Sequence, residues 1–176
     1  MNQKEKGNKR NKQNSGKSKL SLPPVILVYK NKEMIDSLKR SQEEKESYKT
    51  WEDMDWNDDG GKKVVKIIPA ADDEHEIASA IYINMSSNAL ARIISEEGTA
   101  GTKIEFSQEQ FMTAIYSNSF LILAAINSLK KKNNSNIAQL NDFDNIEEFV
   151  GDIVEEFAYA VVKMQINNVN TSKELL

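Results

Sequence analysis

The stretch from Ser107 to Lys132 constrains the fold more than any other, because it joins a helix start signal to the densest apolar run in the chain. Ser107 and Gln110 have the spacing of a capping box, in which hydroxyl and amide each satisfy a free backbone N–H, and Phe106 and Phe111 sit where a hydrophobic staple would clamp the entry. At about 100° per residue, Phe111, Ile115, Ile122, Ile126 and Leu129 form one stripe, while Phe120, Leu121, Leu123 and Ala124 spread apolar surface around the rest. A helix apolar on most sides has to be covered on most sides. Lys130, Lys131 and Lys132 complement the negative end of its dipole, and Asn133 and Asn134 can end it.

A second helix is expected from about 144 to 166. Asp144 and Glu147 again have cap spacing, and Ile146, Phe149, Val150, Ile153, Phe157, Ala160, Val161 and Met164 fall within an arc of about 120°, with Glu147, Glu148, Asp152, Glu155 and Glu156 outside it. The short connector between the two predicts an antiparallel pair. Strands are expected at Val25–Tyr29, at 63–68 where Pro69 stops the run, at 77–85 where Ile77, Ser79, Ile81, Ile83 and Met85 alternate, and briefly at 103–106. Ala78 and Ala80 would also tolerate a helix in the third of these. Ser87 caps a short helix that Gly98 closes, and the charged stretch 32–49, anchored only by Met34, Ile35 and Leu38 before Tyr48, predicts a peripheral or partly formed helix. The fold class expected is α+β, mainly helical: a long central helix at about 107–132, packed antiparallel on a C-terminal amphipathic helix at about 144–166, with a small sheet of short strands.

The 176 residues suit one domain, expected at 20–170 and followed by a frayed tail at 171–176. Charge divides the chain. Residues 1–19 carry Lys4, Lys6, Lys9, Arg10, Lys12, Lys17 and Lys19 against Glu5 alone, a net of +6, whereas the other 16 basic and 26 acidic residues give −10. The first segment lacks the apolar residues needed to offset ordering entropy, so it is expected to be a disordered basic arm. Its seven basic residues can neutralise nucleic-acid phosphates or dock on an acidic partner.

No thiolate chemistry and no thiolate metal site is open to a chain without cysteine. His75 stands alone among Asp72, Asp73, Glu74 and Glu76, a spacing that fits a solvated acidic turn better than a metal site, and neither a phosphate-binding glycine loop nor a nucleophile motif occurs. We therefore expect no catalytic residues, no metal and no cofactor. The longest unbroken apolar run, Phe120–Ile126, is far short of the roughly 20 residues that cross a bilayer, so no membrane partner is expected. Heavy use of Lys, Asn and Ile fits an AT-rich coding sequence such as those of low-GC bacteria and their phages.

Two function classes follow: a non-catalytic assembly or adaptor protein acting through oligomerisation and the basic arm, or a nucleic-acid-binding accessory protein using that arm. Either would be cytoplasmic, or a virion component if phage encoded. Tyr116, Phe120 and Leu123, which lie away from the main stripe of the central helix, are the candidate contacts to a homo-oligomer or a protein partner. Trp51 and Trp56, in a loop with Glu52, Asp53, Asp55, Asp58 and Asp59, are further candidates, although tryptophans so placed more often plug the edge of a core.

Overall fold

A computed structural model describes residues 22–57, 59–70, 78–98, 100–132 and 146–174. The arm, His75 and its acidic turn, and the connector after the central helix lie outside the described residues.

Four short strands make a mixed sheet: β1 (Val25–Tyr29), β2 (Lys49–Thr50), β3 (Val65–Ile68) and β4 (Ala80–Asn84), in the order β2-β1-β4-β3. β1 runs parallel to both neighbours, and β3 pairs antiparallel with β4. Residues 32–49 form two short helices, α1 (Lys32–Ser37) and α2 (Gln42–Glu46), each capped by a side chain, Asn31 and Ser41 respectively. Only Ile35 of the pair is buried, in keeping with their peripheral role. α3 (Asn88–Glu97) starts at Ser87, whose hydroxyl accepts from the Leu90 amide, and stops at Gly98, where φ of 113° is open to glycine without strain. Strand is the correct reading of the third predicted segment within 80–84; β4 has both edges paired, by β1 and β3, and is covered by the helical core on one face and by the loop cluster, against half-buried Tyr82, on the other.

α4 (Gly101–Lys132) and α5 (Ile146–Glu174) pack on each other and, with α3, cover one face of the sheet. The α+β, mainly helical architecture stands, with several boundaries corrected. α4 begins at Gly101, so 103–106 is helix and not strand, and Ser107 is no cap: it lies buried inside the helix with its hydroxyl unpartnered. Continuing α4 backwards satisfies backbone amides that a capping box would satisfy one at a time. α5 runs to Glu174, well past the expected end near 166 and into the segment expected to fray.

Both long helices bury every fourth residue. α4 buries Ser107, Phe111, Ile115, Ser119 and Leu123, and α5 buries Ile146, Val150, Val154, Ala158, Val162 and Ile166. Four residues advance about 40° beyond a full turn, so each buried row winds around its helix instead of keeping to one face. Small and β-branched members let the axes approach; Gly151 of α5 sits so near the sheet that a Cβ there would lie 3.8 Å from the Val65 carbonyl oxygen.

The opposite face of the sheet is closed by the loop after β2. Val28, Met54 and Trp56 form a second buried cluster, with Trp51 and Tyr82 packed against it. Asn84, fully buried at the end of β4, ties this loop down: its amide nitrogen donates to the carbonyls of Gly60 and Lys63, both at 2.6 Å, and its oxygen accepts from Trp51 Nε1 at 3.0 Å and the Ser86 amide at 2.9 Å. Gly60 is required there, since a Cβ would stand 2.3 Å from the Trp51 ring.

Candidate partner-binding surface

The structure divides the five partner-binding candidates. Leu123 is in the chain's own core and presents no surface to another molecule, while Trp56 belongs to the buried cluster after β2 and shows only an edge in the groove between α5 and β3. Trp51 is half-buried and committed to Asn84. Tyr116 and Phe120 are half-buried and stack on each other, ring centroids 6.3 Å apart, and the Tyr116 hydroxyl donates to the Pro23 carbonyl at 3.1 Å, so this face of α4 holds the entry to β1. The seven basic residues of 1–19 lie outside the described residues.

An apolar surface does remain, on residues read as core. Of the arc predicted for α5, Ile146 and Val150 are buried, but Phe157 is 58% exposed, Met164 66% and Phe149 38%. Phe149, Ile153, Phe157, Ala160 and Met164 lie within about 80° of one another around the helix, so the chain builds two apolar rows on α5 and encloses one. On α4, Leu121 is 63% exposed, opposite the buried Ser119 and Leu123. The sequence signal for the row was present; which of two rows meets the core was not, because the winding buried row draws on Val154, Ala158, Val162 and Ile166, which lie outside a straight projection.

Ionic contacts fix α5 against α3 beside this row. Tyr159 donates its hydroxyl to Glu96, the Arg92 guanidinium lies 3.9 Å from the centre of the Tyr159 ring, and Lys163 pairs with Glu97 and, at 3.6 Å, with Glu96. The Tyr159 hydrogen bond, followed by that of Arg92, lowers the Glu96 carboxyl below its ordinary range. The Arg92 and Tyr159 contacts are exposed and individually weak, and the Lys163–Glu97 pair is partly buried.

Nearer its N-terminus α5 borders β3, an edge strand, across a groove of about 620 Å³ lined by Trp56, Lys63, β3, Pro69, Glu147, Glu148, Gly151, Asp152 and Glu155. Burial pushes the Glu155 carboxyl up, with Lys63 at 3.8 Å and the Val64 amide opposing the shift in part. Among the described residues no group of three or more His, Asp or Glu is arranged to hold a metal ion. No family model, curated protein or solved structure matches this chain, so its surfaces are read from their chemistry alone.

Proposed function

We propose that the chain is a non-catalytic assembly or adaptor protein that associates with a second copy of itself through the exposed apolar row of α5, with the basic segment 1–19 serving a further contact. The observation that carries this reading is the row itself: Phe157 and Met164 are more than half exposed on a helix whose opposite row is enclosed. Soluble chains seldom leave a continuous apolar strip in water, and closed homo-oligomers are the commonest way of covering one. The interface is thereby assigned to α5 and not to Tyr116, Phe120 and Leu123.

The absence of cysteine supplies a clean test, because Met164→Cys is then the only thiol. Its reaction with a maleimide should be slow at micromolar protein and accelerate on dilution, whereas Glu43→Cys on exposed α2 should react at one rate throughout. Equal and concentration-independent rates would rule the interface out. The alternative, a nucleic-acid-binding accessory protein, rests on the +6 charge of residues 1–19. It requires an affinity that falls steeply with salt and disappears when residues 2–19 are deleted.

A further inference from the structure

The groove beside β3 has a sheet edge for its floor and an acidic helix for its wall. Toward β4, β3 and the residue before it use the carbonyls of Val64, which accepts from the Asn84 amide at 2.9 Å, and of Ile68, which accepts from the Ser79 amide at 2.9 Å. By the alternation of an antiparallel ladder, the backbone groups of Val65 and Ile67 point the other way; the Val65 carbonyl lies against Gly151 of α5, and those of Ile67 face the groove. Edge groups of this kind are a template for an added extended segment. On the wall, Glu147, Glu148, Asp152 and Glu155 outnumber Lys63 and Lys66, and Lys63 lies 3.8 Å from Glu155, whose carboxyl burial pushes up.

We propose that this groove is the docking site of the chain's own basic segment, residues 1–19, laid along the outer edge of β3 between Trp56 and the acidic face of α5. Charge complementarity is one argument: a segment of net +6 belongs to a body of net −10. Reach is the other. Val25 is in register with Ile81 and Ile81 with Ile67, so the start of β1 is level with the end of β3, two strand spacings or about 10 Å away. Pro24 is held at that level by the Ile81 amide, 3.0 Å from its carbonyl oxygen, and Pro23 by Tyr116. Leu20, Ser21 and Leu22 cover about 10 Å when extended, which delivers Lys19 and Lys17 to the groove mouth. Docking the arm on its own body leaves the apolar row of α5 untouched, so this inference and the proposed function can fail separately.

The test uses the full chain with a nitroxide on Ser15→Cys and follows amide signals by NMR. Signals of Val65–Ile68 and Glu147–Glu155 should lose intensity selectively, and recover at high salt, where exposed charges are screened. They should also recover in Glu148→Lys/Asp152→Lys and in Lys12→Gln/Lys17→Gln/Lys19→Gln, the second of which leaves the folded body unaltered. Broadening spread evenly over acidic α2, or unchanged in the arm variant, would overturn the proposal. So would broadening seen only when spin-labelled chains are mixed with isotope-labelled ones, since the arm would then be docking on another copy.

Discussion

On the loop side of the sheet, Asn84 uses its whole amide, Gly60 admits the Trp51 ring, and Val28, Met54 and Trp56 leave little apolar surface in water. On the helical side, α4 and α5 enclose one row each, bury the hydroxyls of Ser107 and Ser119 without partners, and expose Leu121, Phe157 and Met164. The first closure is complete within one chain and specific to it. The second stops halfway, enclosing one row of each helix and leaving Leu121, Phe157 and Met164 in water.

The largest effect that would sharpen this contrast lies inside the helix pair. Phe111 is fully buried, so Phe111→Ala should cost roughly 3–5 kcal/mol, whereas Phe157→Ala, measured at concentrations below association, should change stability by less than about 0.5 kcal/mol. Comparable losses in urea melts would put Phe157 back in the core.

A step smaller, the two sides should answer oppositely to loss of a polar group. Asn84→Ala leaves the Trp51 indole N–H and the carbonyls of Gly60 and Lys63 short of a bond and should cost about 1–3 kcal/mol for each one that stays buried. Ser119→Ala removes a hydroxyl that bonds to nothing, and should stay within about 1 kcal/mol of the parent or be more stable. A large loss at Ser119 would mean its hydroxyl is satisfied, and the helix pair would then be as finished as the loop side.

The smallest effect is a pH dependence at the border between the two regions. Because burial raises the Glu155 carboxyl, the folded chain holds that proton more tightly than the unfolded one, and the stability it contributes in acid is lost as pH rises through the folded value. Glu155→Gln should therefore gain on the parent as pH goes from acid to neutral, read from urea midpoints across the carboxylate range. Glu96, lowered chiefly by Tyr159, carries the opposite sign, so Glu96→Gln should lose ground over the same interval. A Glu155→Gln variant that falls behind as pH rises would show Lys63 outweighing burial.

What the sequence disclosed follows the same division. Local chemistry was legible where one residue decides: Ser87 and Gly98 bound α3, Pro69 follows β3, and the few apolar anchors of 32–49 leave α1 and α2 at the periphery. Ser107 misled because a good cap signal has no force once the preceding residues continue the helix. A projection at fixed angle makes the arc on α5 a single face, because it cannot show a row that winds by about 40° every four residues. Leu123 belongs to the winding row of α4 for the same reason. Asn84 gave no advance notice, since its value depends on Gly60 and Lys63 reaching it from 24 and 21 residues away.

The most direct test of an unfinished helical face is the mass of the protein in solution. Light scattering coupled to size exclusion at micromolar concentration should give a multiple of the chain mass for the parent, and a single, well-folded chain for Phe157→Asp/Met164→Asp. A parent that elutes as a monomer, or an assembly that survives both substitutions, would contradict the account.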